Sequence, residues 1–131
     1  LLEVLITVLV LGIGLLGLAA IQTASIRNNQ SAYDRTMAVI LTDSVIESIR
    51  ANRDASMNGV FNKACAAAVP AAGIQGVELK QWNDKLTTIL GSDACGEINC
   101  NAGNCYVSIK WNDSRGSGGD EKLDLTTRFS I

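Results

Sequence analysis

Apolar residues fill the first part of this chain almost without a break. Leu1 to Ile21 reads LLEVLITVLVLGIGLLGLAAI, in which only Glu3 and Thr7 carry polar side chains. From Val4 to Ile26 there is no charged residue over 23 positions. As a helix this is about 35 Å at about 1.5 Å per residue, enough to cross a bilayer core of about 30 Å. A cleavable secretory signal has a shorter apolar region and a basic flank, neither of which is visible here. A retained membrane helix is the expectation, with a signal or a buried core helix as the alternatives.

Beyond Ile26 the pattern changes period. Tyr33, Met37, Ile40, Leu41, Val45 and Ile49 recur at spacings of three and four, with Asp34, Arg35, Asp43, Glu47 and Arg50 mostly between them. This predicts that the helix continues as an amphipathic half over about residues 27–54, its stripe facing its own domain. Asn, Asp, Ser and Gly between Asn52 and Gly59 predict its end. Residues 60–76 read as a loop punctuated by Pro70, Gly73 and Gly76, with a helical turn near Lys63 to Ala68. Leu79, Trp82, Leu86, Ile89 and Leu90 predict a short second helix ended by Gly91.

The C-terminal part alternates with period two. Tyr106 to Trp111 places Val107, Ile109 and Trp111 on one face. Leu123 to Ile131 separates Leu123, Leu125, Thr127, Phe129 and Ile131 from Asp124, Thr126, Arg128 and Ser130. Glu97 to Cys100 is a weaker strand candidate, and Asn112 to Asp120 a flexible connection. One wet and one buried face suit an antiparallel sheet laid on a helix. The expected fold class is α+β: a long N-terminal helix on a small antiparallel sheet, with a short second helix. The organisation divides into 1–26, an apolar half-helix, and 27–131, a globular domain that includes the amphipathic half.

Composition narrows the chemistry. The chain has 131 residues, a net charge of −2 and no histidine. Histidine-dependent triads and mixed Cys/His zinc sites are therefore excluded. The charge balance does not mark a nucleic-acid binder. Gly12, Gly14 and Gly17 spell G-x-G-x-x-G, but a dinucleotide fingerprint needs a strand before it and a helix opening at it. Mid-way along an apolar run, these glycines are better read as sites of close helix packing. Asp120, Glu121 and Asp124 read as a solvated loop edge. Asp113 and Asp120 flank a Gly-rich loop without calcium-loop spacing. No catalytic residue, metal site or cofactor is expected.

The four cysteines Cys65, Cys95, Cys100 and Cys105 allow three pairings. Asn101 to Asn104 reads as a hairpin turn that would set Cys100 beside Cys105, leaving Cys65 with Cys95. Disulfides imply an oxidising compartment. A zinc site or redox pair is the alternative, without the usual C-x-x-C spacing.

Glu3 is the one ionisable residue in the apolar segment's first stretch. Such a residue at mid-membrane costs about 2.5–3.5 kcal/mol on insertion scales and usually has a role. An interfacial position at the helix N-terminus is the plainer reading.

Leu1-Leu2-Glu3-Val4-Leu5 resembles the start of mature type IV pilins and pseudopilins. In that family a leader ends at Gly or Ala, then a methylated Phe, a Thr or Ser, two aliphatic residues and a Glu follow. On this alignment the chain lacks the Phe, the Thr or Ser, and the leader. Leu9-Val10-Leu11-Gly12-Ile13-Gly14-Leu15-Leu16-Gly17-Leu18-Ala19-Ala20-Ile21-Gln22 resembles the LxxGLLGLAxxQ run of PilV-type minor pilins, the pilus modification proteins. Trp82 before Leu86 and Leu90, and Val107-Ser108-Ile109-Lys110-Trp111, are similar to that subfamily's W-x-x-x-L helix and V-x-V-x-W strand. The proline common near residue twenty of major pilins is absent.

The resemblance implies a non-enzymatic pilin fold, held as a single-pass inner-membrane protein and then moved into an extracellular type IV pilus. Its globular domain would be periplasmic, then extracellular. Glu3 would pair with the N-terminal amine of a neighbouring subunit, while Leu5, Leu9, Gly12, Gly14, Leu16 and Gly17 would pack against other helices in membrane or filament. Other minor pilins, the major pilin and the inner-membrane assembly platform would be its partners, near the pilus tip, with roles in priming assembly, adhesion and twitching motility. A minor pseudopilin of a type II secretion system, a membrane-tethered adhesin or binding module, and a membrane-anchored thiol enzyme are the competing expectations.

Overall fold

The computed structural model describes residues 1–69, 73–116 and 119–131. A helix of 50 residues, α1 (Leu2–Ala51), carries the rest of the molecule on its C-terminal half. A five-residue helix, α2 (Arg53–Met57), and a longer one, α3 (Gly73–Leu90), follow. Three strands complete the chain: β1 (Cys95–Asn101), β2 (Asn104–Trp111) and β3 (Leu123–Ser130). They form one antiparallel sheet in the order β1-β2-β3. This is the α+β layout expected: long N-terminal helix, small antiparallel sheet, short second helix.

The end of α1 is well served. Asn52 leaves helical geometry at φ −113° and ψ 50°. Its side-chain amide donates to Ser48 O at 2.9 Å. Fully buried Ser56 then turns its hydroxyl back to Ile49 O and Asn52 O, at 2.8 and 2.9 Å. Carbonyls that a helix C-terminus leaves without partners are satisfied in this way.

The sheet and two helices share one core. Ala38, Leu41, Val45, Ile46 and Ile49 from α1 meet Leu79, Trp82, Leu86 and Leu90 from α3. Ile98, Val107, Ile109 and Trp111 close it from the sheet. Trp82 Nε1 donates to Leu41 O at 2.9 Å, so the indole joins α3 to α1 without stranding its polar atom. Gly96 lets β1 approach this ring: a Cβ there would overlap Trp82 and crowd Leu86.

Two expectations change. The stripe on α1 is rotated from the expected one: Tyr33 and Ile40 are 54% and 52% exposed, whereas Ser31 and Asp34 are buried. Both apolar residues fall on the back of the helix, because the domain covers the face of Ala38, Leu41, Val45 and Ile49. The second helix starts at Gly73, inside the stretch read as loop, and Gly76 is buried within it against the core. A glycine there favours close packing over a chain break. Pro70, expected to punctuate the loop, lies outside the described residues.

The hairpin between β1 and β2 has the expected turn. Ala102 and Gly103 both take positive φ, 48° and 83°, the geometry of a two-residue hairpin that matches strand twist. Asn101 pairs with Asn104 and Cys100 with Cys105. β1 is longer than expected at both ends and is recruited by pairing with β2.

Candidate functional site: an exposed apolar helix and its collar

Every residue from Leu1 to Gln30 is exposed. Leu5, Leu9, Leu11, Ile13, Leu15 and Leu16 each leave more than three-fifths of their surface bare. Patches on soluble monomers rarely exceed a few hundred Å²; this one runs along the apolar stretch from Leu1 to Ile21. Among the described residues α1 is the one helix long and apolar enough to cross a membrane, and it is a candidate membrane anchor.

At 3.6 residues per turn, the expected packing residues fall into two groups. Leu5, Leu9, Gly12 and Leu16 follow one another at steps of three and four and share a face. Gly14 and Gly17 lie on a different face, in line with Glu3, Thr7 and Val10. Open space surrounds all three glycines, so close approach by another helix is unobstructed. Glu3 stands in the first turn of α1, exposed and without an ion-pair partner among the described residues.

Where the rod meets the domain, two buried carboxylates hold the β2–β3 loop to α1. Asp113 Oδ2 accepts from Ser31 Oγ at 2.9 Å, and from Arg35 Nη2 at 2.8 Å and Nε at 3.3 Å. Asp34 Oδ1 accepts from Gln30 Nε2 at 2.8 Å, and Oδ2 pairs with Arg115 Nη2 at 3.3 Å. The exchange is reciprocal: the helix supplies one acid and one base, and so does the loop. Both aspartates are 1% exposed, while Arg35 and Arg115 stay 55% and 56% exposed. The connection expected to be flexible is thus pinned at Asp113 and Arg115. Ser117 and Gly118, in the same stretch, lie outside the described residues.

In the sequence Asp34 reads as a polar spacer, and Asp113 as a flank of a Gly-rich loop. The partner of each lies about eighty residues away, so local pattern does not reveal the pairing. One signal was present: Ser31 and Asp34 continue the three-and-four spacing of Ala38, Leu41 and Val45 towards the N-terminus.

The other side of the domain is closed by staples. The disulfides are Cys65–Cys95 and Cys100–Cys105, and no cysteine is free. The loop after α2 also covers the outer edge of β1. Lys63 exchanges both backbone hydrogen bonds with Ile98, at 2.9 and 2.8 Å. The Asn62 side chain accepts from Cys100 N at 2.7 Å and donates to Cys100 O at 3.2 Å. Lys63 Nζ turns inward to the carbonyls of Ala64, Cys65 and Gly96, at 3.2–3.3 Å. Burial pushes its pKa below the usual lysine value. On the solvent face, Tyr106 donates to Glu97 at 2.6 Å, and that hydrogen bond, then burial and the nearby charge, raise the tyrosine's pKa.

Among the described residues no group of three His, Cys, Asp or Glu is placed to hold a metal ion. No family model, curated protein or solved structure matches the chain.

Proposed function

We propose that this chain is a minor pilin of the PilV type, held in the inner membrane by α1 and then incorporated into a type IV pilus. It acts as an assembly subunit near the pilus tip, with other minor pilins and the major pilin as partners, and not as an enzyme. The observation that carries this reading is the single unbroken helix whose first 30 residues are bare, charge-free from Val4 to Ile26, while its C-terminal part is built into a domain core. Such a helix serves two apolar surroundings in turn, lipid before assembly and neighbouring helices after it.

Glu3 is the residue on which incorporation turns. Its exposed carboxylate, without an ion-pair partner among the described residues, suits a positive group supplied by a neighbouring subunit, because a carboxylate taken into apolar surroundings needs a partner charge. The Glu3→Ala variant should remain in the membrane fraction and be lost from sheared filaments. Normal entry into filaments would remove Glu3 from the mechanism.

A further inference from the structure

We propose that the collar of α1 is a binding site for the phosphate of an anionic membrane lipid, held between Arg27 and Arg115. This rests on the reading of α1 as a membrane anchor. A cleft of about 450 Å³ opens where the rod meets the domain, lined by Ile26, Arg27, Gln30, Ser114 and Arg115. None of these five is acidic. The two aspartates nearby are buried, one paired with Arg35 and the other with Arg115. Among the described residues, the cleft therefore has Arg27 as a cation without an ion-pair partner, and Arg115 as one whose counter-charge is buried.

Position selects the source of the phosphate. Arg27 is the first charged residue after the charge-free run from Val4 to Ile26. When that run fills the hydrocarbon core, Arg27 emerges at headgroup depth on the domain side. Ile26, exposed on the lining of the cleft, suits the glycerol and upper acyl chain. Arg27 is exposed and has no ion-pair partner among the described residues, so all its donors are available. Arg115 spends Nη2 on Asp34 and keeps the rest of its fork. Two guanidinium forks match the planar, two-pronged recognition that phosphate favours.

The test uses the full chain in vesicles of phosphatidylcholine and phosphatidylglycerol, extracted into mild neutral detergent, with retained lipid identified by native mass spectrometry. Phosphatidylglycerol should be enriched over phosphatidylcholine. Arg27→Gln, which breaks no ion pair among the described residues, should lower that enrichment about fivefold, the equivalent of about 1 kcal/mol per arginine at a charged surface. Equal retention of both lipids, or enrichment unchanged in Arg27→Gln, overturns the proposal. Displacement of the lipid by millimolar inorganic phosphate would make the ligand free phosphate and also overturn it. If Arg27→Gln keeps its lipid yet fails to enter filaments, the arginine serves a neighbouring subunit's carboxylate instead. Carbonate washing of the same vesicles separates the two readings. Release of the chain sinks the anchor and the lipid site together, whereas a retained chain without lipid preference sinks the lipid site alone.

Discussion

Arg35 Nη2 lies 2.8 Å from Asp113 Oδ2, joining the middle of α1 to a loop 78 residues further on. The two partners are unequal. Asp113 is 1% exposed and Arg35 is 55% exposed. Removing the arginine leaves a buried carboxylate with Ser31 as its one remaining side-chain donor among the described residues. Removing the acid's charge leaves a guanidinium that water can reach. Arg35→Gln should therefore destabilise the domain by about 1–3 kcal/mol, and Asp113→Asn by about 1 kcal/mol or less. Denaturant unfolding of the full chain in detergent, followed by the fluorescence of buried Trp82 and Trp111, measures both. Equal losses, or a larger loss for Asp113→Asn, would mean that the buried charge is not the controlling feature.

The two disulfides should contribute unequally as well. Cys65–Cys95 spans 30 residues of sequence, and Cys100–Cys105 spans five. On the chain-entropy estimate these are worth about 3.6 and about 2 kcal/mol. The shorter bridge also lies across a turn that strand pairing already closes. Replacing Cys65 and Cys95 by Ser should lower the unfolding midpoint further than replacing Cys100 and Cys105, under the same denaturant protocol. The reverse order would indicate that the hairpin depends on its bridge.

Lys63 gives the domain a signature at alkaline pH. Its folded pKa is lowered by burial. Between that lowered value and the ordinary lysine value of 10.5, the unfolded chain binds more protons than the folded one, so stability rises with pH. Tyr106 acts oppositely. Its raised folded pKa gives stability that is present below 10.0 and lost as pH climbs through the folded value. In a Tyr106→Phe background the melting temperature should climb across the Lys63 window. Adding Lys63→Met should abolish that climb and leave the carbonyls of Ala64, Cys65 and Gly96 without their shared donor. A climb that survives the substitution would assign it to another group.

The sequence disclosed those features whose physical cause is local. Alternation in β2 and β3 appears because one face of each strand meets the core and the other meets water. The Asn101–Asn104 turn is legible because Gly103 can take positive φ at low cost, and with it comes the Cys100–Cys105 pairing. The length of α1 follows from its apolar run and the periodicity beyond it. Features that depend on distant partners were hidden. Asp34 reads as a surface residue because its partner Arg115 is 81 positions away. Tyr33 and Ile40 read as core because spacing alone does not say which of two adjacent apolar stripes the domain will cover. The start of α3 was missed because a buried Gly76 and a chain-breaking glycine are the same letter. At the collar, Arg27 was visible as the end of a charge-free run, but the loop that brings Arg115 beside it was not.

Assembly of this chain into a pilus through the bare half of α1, as proposed above, is tested in a strain lacking the gene, with surface pili sheared and quantified and exoprotein secretion assayed from the same culture. The prediction is lost or reduced pili with intact secretion, restored by the wild-type chain and not by Glu3→Ala. Intact pili with lost secretion would contradict it and assign the chain to a secretion pseudopilus, and no change in either would leave a tethered module outside any filament.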